Sequence, residues 1–206
     1  SLGAKAIQVK VGDTAIATIN GDTLTITGSG TTYDECSWSD RNNVLDKDTV
    51  KHIVVEDDIT SIGQEMFWGF SSVESAKLPK SLKKIGDYAF ANCILLKDIS
   101  LPDSIEEIKY CAFENCKSLN KIILPNNLTL LDGEVFEGCN AEIVFPASFK
   151  YIPVLGRNAV KKVELSEGVE TIGANAFWAC SNLTEITLPS TITSIESGAF
   201  SDTGIT

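Results

Sequence analysis

Three consecutive segments between Glu74 and Cys139 repeat the same residue types, without gaps, every 23 positions. The recurring residues are Pro79, Pro102 and Pro125, then Phe90, Phe113 and Phe136, then Cys93, Cys116 and Cys139. A fixed short period is the signature of a repeat protein in which each unit contacts only its neighbours. The repeat therefore predicts a stacked solenoid rather than a globule with a unique core.

The repeat register extends from Val50 to the end of the chain and gives about seven coils. Phe136 and Phe177 are 41 positions apart, whereas two full repeats of 23 would give 46, so the fifth coil (Ala141–Val160) is about five residues short. We expect the stack to be tightened or distorted there. The predicted organisation is an N-terminal β cap and loop over residues 1–49 and a repeat solenoid over residues 50–206.

Each position of the repeat has a structural role. The alternation around Ile122 and Leu124 is that of a short strand with these two side chains facing inward, and Pro125 ends the strand because proline cannot donate to a ladder. Strands of successive coils are expected to lie parallel, about 4.8 Å apart. The A-F-x-x-C segment predicts one helical turn on the opposite side, and Gly86 suits a tight reversal. The predicted fold class is an α/β repeat solenoid, a right-handed coil with parallel strands on one face and short helical turns on the other.

The N-terminal residues predict a small antiparallel β element. Ala6–Val11 alternates apolar and polar residues, and two further strand candidates flank the turn signal Asn20-Gly21-Asp22. We expect this cap to cover the first coil, because an open solenoid end exposes core and unpaired strand edge. The loop over Gly28–Asp48 is expected to be held by Trp38, Val44 and Leu45. Trp38 is interpreted as a packing anchor, with a ligand platform as the alternative.

Four of the six cysteines occupy one repeat position, where the first coil has Phe70. A position that accepts phenylalanine or cysteine is an apolar core site, so we expect free buried thiols, with a disulfide or a metal site as less favoured alternatives. Cys111 shares its repeat position with charged and polar residues and is predicted to be exposed. A disulfide between Cys36 and Cys111 is an open alternative that no feature of the sequence supports.

The composition disfavours several classes of partner. The net charge is −11, whereas phosphate backbones and anionic membranes require clustered basic residues. No apolar run approaches the roughly 18 residues of a membrane span. Ser1–Val11 lacks the uninterrupted apolar stretch of a signal peptide. Because Phe200–Thr206 stops in mid-repeat, we expect the natural chain to continue, and any signal peptide to precede Ser1.

A search for catalytic or ligand-binding motifs gives little. The single histidine, His52, lies at an outward strand position and is interpreted as an ordinary surface residue. Glu56-Asp57-Asp58 lacks the spacing of a calcium loop, and Gly28-Ser29-Gly30 lacks the frame of a nucleophile elbow. No catalytic residue, cofactor or metal site is predicted.

The consensus L-x-x-I-x-L-P-x-x-[VIL]-x-x-I-G-x-x-A-F-x-x-C resembles the leucine-rich repeat of the BspA-like bacterial surface proteins. Leu96–Cys116 follows it closely, apart from Lys109 at the glycine, and residues 21–28 resemble the segment that precedes such repeats. The resemblance implies a secreted or surface-displayed protein that binds host or neighbouring-cell proteins. It supplies no shared catalytic residues.

A binding face is predicted on the outward strand positions. Ile123 and Val144 are apolar there, and charged residues surround them, which is the composition of an interaction patch. The predicted face consists of Lys121, Ile123, Glu142, Val144, Lys162 and Glu164. The alternatives are that local helices, loops or a neighbouring molecule cover the apolar pair, or that β-propensity alone explains it. Trp68 and Trp178, on the opposite surface, are interpreted first as packing residues.

These observations predict a non-enzymatic protein-binding or adhesion module. The alternative is a structural spacer that presents another domain. The expected partner is a host or cell-surface protein, with no nucleic acid and no membrane insertion, and the chain is expected to be monomeric or weakly self-associating.

Overall fold

The computed structural model describes residues 6–34, residue 38 and residues 46–206. This part of the chain consists of short strands joined by tight turns, with one 3-10 turn at Lys47–Thr49. The strands are β1 (Ile7–Lys10), β2 (Ile16–Asn20), β3 (Thr23–Thr27), β4 (Gly30–Thr31), β5 (His52–Val55), β6 (Ile59–Ile62), β7 (Ser75–Lys77), β8 (Lys84–Ile85), β9 (Asp98–Ile99), β10 (Glu107–Ile108), β11 (Lys121–Ile123), β12 (Leu130–Leu131), β13 (Ala141–Phe145), β14 (Tyr151–Ile152), β15 (Val160–Leu165), β16 (Thr171–Ile172) and β17 (Ser194–Ile195).

The first three strands form an antiparallel meander. Asn20 pairs with Thr23 across a two-residue turn, in which Gly21 has a φ of 62°, a conformation that glycine adopts without steric cost. Leu24 and Ile26 of β3 are buried, and β3 pairs in parallel with β5. The meander therefore continues the sheet of the repeats. The division of the chain at residue 49 remains a prediction.

Parallel pairing of equivalent positions holds successive coils together. In the described residues, one sheet has the order β1-β2-β3-β5-β7-β9 and a second has the order β12-β10-β8-β6-β4. The register joins His52 to Ser75 and Ser75 to Asp98, so equivalent residues of neighbouring coils lie side by side. The predicted parallel-strand solenoid is confirmed.

The prediction of helical turns opposite the strand face is wrong. The described residues contain no α-helix, and the A-F-x-x-C segments are runs of tight turns. Tyr88 and Asn92 have positive φ values, 53° and 61°, which interrupt a right-handed helix. Ala91 N–H donates back to Tyr88 O at 3.0 Å, whereas Phe90 N–H donates to Ala112 O of the next coil at 2.8 Å. Hydrogen bonds between coils thus replace bonds along a helix.

Phenylalanine side chains from successive coils stack in a buried column. The rings of Phe90 and Phe113 lie 5.4 Å apart and 6° from parallel, and those of Phe113 and Phe136 lie 5.8 Å apart and 7° from parallel. All three side chains are fully buried. Aromatic pairs contribute about 0.5–1.5 kcal/mol beyond the burial of their area, so this column stabilises the stack directly.

The cysteines of the repeat form a second buried column of free thiols, namely Cys93, Cys116, Cys139 and Cys180. The Cys116 thiol donates to Phe90 O of the preceding coil at 3.1 Å, and the Cys139 thiol makes the equivalent bond at 2.9 Å. Burial raises the pKa of Cys93 and of Cys139 to about 12. The prediction of free core thiols is confirmed.

The exposure predicted for Cys111 is wrong. Its side chain is only 3% exposed and its thiol is free. Tyr88 and Tyr110, whose rings pack edge to face at 5.6 Å, lie beside the thiol, and burial raises its pKa to about 11. The two tyrosines therefore shelter a position that is polar in other coils. Cys36 lies outside the described residues, as do Val44 and Leu45.

Trp38 packs against the first coil. Its Nε1–H donates to Met66 O at 2.6 Å, and its ring packs edge-on against Phe70 at 5.6 Å. The residue is 6% exposed, which leaves no surface for a ligand platform. The packing interpretation is therefore the correct one.

Gly86 is explained by close approach between coils rather than by a reversal. A Cβ built on Gly86 would lie 2.7 Å from the carbonyl carbon of Gly63 and 2.8 Å from the nitrogen of Gln64. Real Cβ atoms do not tolerate such contacts with backbone. Glycine here lets one coil lie directly against the preceding one.

The shortened fifth coil packs differently from the others. Gly156 takes the backbone position of the repeat phenylalanine, because its carbonyl accepts the Cys180 thiol at 3.6 Å. A Cβ at Gly156 would lie 2.7 Å from Glu137 Cβ, so no side chain fits there. The adjacent Leu155 is fully buried and supplies the apolar side chain instead. The predicted local distortion is present: the described sheets are interrupted between β12 and β14.

Candidate functional site

The six residues of the predicted face lie together on three adjacent strands, β11, β13 and β15. The parallel register places Lys121 beside Glu142, and Ile123 beside Val144. It continues from Glu142 to Lys162 and from Val144 to Glu164. The structure therefore brings the six residues into one patch, as the repeat register predicts.

Four of these residues form an ion quartet, composed of Lys121, Glu142, Lys162 and Glu164. Lys121 Nζ lies 2.6 Å from Glu142 Oε1 and 3.5 Å from Glu164 Oε1. Lys162 Nζ lies 3.5 Å from Glu142 Oε1 and 3.1 Å from Glu164 Oε1. Each cation contacts both anions, so the quartet neutralises its own charge.

The quartet also shifts the ionisation of its members. Hydrogen bonding to Lys121 lowers the pKa of Glu142. Hydrogen bonding to Glu142 raises the pKa of Lys121, and hydrogen bonding to Glu164 raises that of Lys162. All these shifts favour the charged forms. Because the groups are in contact with water, solvent screening keeps the stabilisation small.

The apolar centre of the patch is Ile123 with the neighbouring Val144. Ile123 is 62% exposed, the largest exposed fraction of any large hydrophobic residue in the described part of the chain. Val144 is half-buried beside it. Underneath, Ile122 and Ile143 are buried and fix both strands to the core. The exposed pair is β-branched, and the charges beside it are already paired. Covering this surface with an apolar group therefore releases water from apolar side chains at a small cost of charge desolvation.

The strand face opens next to this patch. β9 and β11 end separate sheets in the described structure, although β10 and β12 of the same coils remain paired. A groove of about 610 Å³ lies at the opening and includes Ile99, Leu101, Ile123 and Val144 in its lining. Repeat reasoning missed Ile99, because it occupies an inward position that is buried in the neighbouring coils at Ala76 and Ile122 and is half-buried where the ladder opens. Leu101 occupies an inward position that is half-buried in other coils as well, and it lines the groove next to Ile99. The repeat period is intact there and gives no signal of the opening.

Two tryptophans on the opposite side pair with cations. Lys47 Nζ lies 5.0 Å from the ring centre of Trp68, and the Arg157 guanidinium lies 4.5 Å from that of Trp178. Trp68 is 46% exposed, and Trp178 is half-buried. These contacts favour the packing interpretation of both residues.

The remaining sequence candidates have structural partners or lack a binding geometry. His52 Nδ1 and Ser75 Oγ, on adjacent strands, are hydrogen-bonded at 2.8 Å. Among the described residues, no cluster of three or more histidine, cysteine or carboxylate side chains is arranged to hold a metal ion. Within the same residues, no helix has the length and apolarity needed to cross a membrane.

Solved structures with this architecture are bacterial leucine-rich repeat proteins. The chain is 20% identical to one from Bacteroides ovatus, with a TM-score of 0.75, covering 98% of this chain and 56% of that one. It is 21% identical to one from Eubacterium ventriosum, with a TM-score of 0.60, covering 96% and 64%. It is 22% identical to a leucine-rich cell surface protein from Faecalibacterium prausnitzii, with a TM-score of 0.55, covering 98% and 55%.

The chain thus spans little more than half to about two thirds of the length of these relatives, and the likeness establishes the fold. No curated protein sequence matches the chain.

Parallel ladders, stacked apolar columns and the 23-residue period together define a leucine-rich repeat solenoid. The profile of the BspA type leucine rich repeat region matches residues 41–155 and 154–206, in six copies. The chain belongs to the BspA-type leucine-rich repeat family. Repeat proteins of this class are typically non-enzymatic and generally mediate protein interactions.

Proposed function

We propose that this chain is a non-enzymatic protein-binding or adhesion module of a secreted or cell-surface bacterial protein. The observation that carries the proposal is the exposed Ile123 beside Val144, on the strand face of a rigid solenoid. An apolar centre surrounded by polar residues is typical of the energetic centre of a protein interface.

The electrostatics of the patch support this function. Lys121 and Lys162 share Glu142 and Glu164, so no single unbalanced charge has to be desolvated when a partner covers Ile123. A buried unpaired charge would oppose association strongly. The F. prausnitzii relative is described as a cell surface protein, which agrees with the location proposed here.

The test is a binding screen of the purified chain against extracellular-matrix and cell-surface proteins. Ile123→Asp and Val144→Asp place a charge in the apolar centre. The control is Leu95→Asp, because Leu95 is 47% exposed and its repeat equivalent Ser118 shows that a polar residue is accepted there. Circular dichroism confirms that all three variants fold.

Saturable binding that Ile123→Asp and Val144→Asp abolish, and that Leu95→Asp retains, is the expected result. Binding that all three variants retain would move the interface away from this face. The absence of any ligand in the screen would favour the structural spacer instead.

A further inference from the structure

Two grooves on the strand face join into one trough. The groove beside Ile123 and a second groove beside Lys77 share Ile99, Ser100 and Lys121 in their lining. Ser100 is a small exposed residue at the middle of the shared floor. The strand-face trough therefore runs across the strands, with Ile123 and Val144 at one end and Lys77 and Lys80 at the other.

The lysines of the trough differ in their ion pairing. Lys97 Nζ lies 2.8 Å from Glu74 Oε2, and Lys121 belongs to the ion quartet. Lys77 and Lys80 are exposed, and no carboxylate of the described residues lies within ion-pair distance of either. The net charge of the chain is −11. Two unpaired lysines that line the same groove are therefore an unusual site on this chain, and one that attracts a carboxylate.

The repeat geometry sets the distance between the two ends. Lys77, Ser100 and Ile123 occupy the same outward position in consecutive coils, 23 residues apart. Paired strands lie about 4.8 Å apart, and the ladder is open between Ser100 and Ile123, so Lys77 and Ile123 are separated by at least about 10 Å. An extended peptide advances about 3.3 Å per residue, so three or four residues cover this distance.

We propose that the strand-face trough binds an extended acidic peptide segment of a partner protein, with an apolar residue on Ile123 and Val144 and a carboxylate three or four residues away at Lys77 and Lys80. This inference rests on the proposed function, because it uses the same apolar patch. It adds the chemistry of the partner and the spacing of its two anchor residues.

The charges around the trough favour a short peptide over a long polyanion. Asp98 lines the trough itself, and Glu56 and Asp57 line the next groove, on the other side of Lys77 and Lys80. These carboxylates repel any partner whose negative charge continues beyond one or two groups. A nucleic acid or a sulfated glycan carries such continuous charge, whereas a peptide with one or two carboxylates does not.

A random dodecapeptide display library, panned on the purified chain, tests the proposal. The expected enriched motif is an apolar residue, two or three variable residues and an aspartate or glutamate. The same library is panned on Ile123→Asp, on Lys77→Glu, on Lys80→Glu and on the control Lys117→Glu, which makes the same charge change at an exposed residue outside the trough.

We expect Ile123→Asp to enrich no motif, and the two trough lysine variants to enrich apolar residues without the acidic preference. Lys117→Glu should keep the full motif. For the best synthetic peptide, measured by fluorescence polarisation, replacing its acidic residue with the amide should weaken binding about threefold to fivefold on the unsubstituted chain. The same replacement should have no effect on Lys77→Glu.

The outcomes separate this inference from the proposed function. Enrichment of apolar residues that depends on Ile123 but shows no acidic preference overturns the acidic-peptide inference and leaves the apolar interface standing. Enrichment that is independent of Ile123 contradicts both. Binding of heparin or an oligonucleotide through Lys77 and Lys80, without peptide enrichment, also overturns the peptide proposal.

Discussion

The regular coils between Glu74 and Cys139 and the irregular fifth coil maintain the same stack by different means. In the regular coils, Phe113 lies between two parallel rings, while the strands of this face have only two or three residues. In the irregular coil, Gly156 replaces the phenylalanine, and the five-residue strand β13 pairs with the six-residue strand β15 of the next coil. Longer backbone pairing thus accompanies the interruption of the aromatic column. It also provides the strand face that presents Val144 beside Ile123.

The largest expected effect is on the aromatic column of the regular coils. Phe113→Ala removes a ring that is stacked on both sides and should lower the free energy of unfolding by about 3–5 kcal/mol. Urea denaturation followed by circular dichroism measures this loss. Phe200→Ala is the control, because Phe200 is half-buried and its described ring contact is with Phe177, so its loss should be smaller. Equal losses in the two variants would contradict a special role for the column.

In the irregular coil, Leu155→Ala should lower the free energy of unfolding by about 2–4 kcal/mol, since the side chain is fully buried. The loss is expected to be smaller than for Phe113 because the long pairing of β13 with β15 remains. Hydrogen exchange of the β13 amides should stay slow in this variant. A loss below about 1 kcal/mol in the same urea assay would show that backbone pairing alone holds the irregular coil.

The cysteine column offers a chemical comparison of the two regions. Only thiolates react with iodoacetamide, and burial raises the pKa of Cys93 and Cys139 to about 12. At pH 8 these thiols should therefore be alkylated only after unfolding. Cys180 bonds to the irregular coil at 3.6 Å, against 2.9 Å for Cys139, so in moderate urea mass spectrometry should find Cys180 alkylated first. Simultaneous alkylation of all the column thiols would contradict a weaker irregular region.

The smallest expected effect concerns the ion quartet on β11, β13 and β15, compared with the single pair Lys97–Glu74 of the regular coils. Ion pairing lowers the pKa of both Glu142 and Glu74. A lowered folded-state pKa stabilises the protein above the unfolded-state pKa, and this stabilisation is lost as the pH falls through the folded-state value.

Glu142→Gln should therefore lower the Tm slightly at pH 7 and not at all once the pH is below the lowered pKa of Glu142. Glu74→Gln is the matched variant and should show a smaller decrease, because it breaks one ion pair rather than two. Thermal unfolding at low salt between pH 7 and pH 3 measures both, and 0.5 M salt should remove both effects. A Tm difference for Glu142→Gln that does not shrink as the pH falls would assign the effect to packing.

The repeat register predicted the parallel stack, the buried phenylalanine and cysteine columns, and the position of the six patch residues side by side. These features follow from spacing, because equivalent residues must align when coils of equal length stack. The register gave the wrong result for Cys111, since the shelter comes from the neighbouring Tyr110 and from Tyr88, the equivalent residue of the preceding coil, and no other coil has this pair of tyrosines. The helical turns were also wrong, because amide groups such as that of Phe90 have a better acceptor in the next coil than along their own turn.

The opening between β9 and β11 had no sequence signal, so the half-buried Ile99 and Leu101 and the trough towards Lys77 were not expected. Nor did the sequence show that Gly156 and Leu155 together take the place of one phenylalanine. The second feature depends on how a short coil packs against full-length neighbours. Both are matters of three-dimensional packing rather than of residue type.

The amino-acid sequence alone determined the period, the inward and outward alternation and therefore the family, because these depend only on the order of apolar and polar residues. The tertiary structure decided where the ladder opens, which lysines stay unpaired and how the quartet balances its charges. These properties depend on distances of a few ångströms between atoms of different coils, and the residue order within one repeat does not determine such distances.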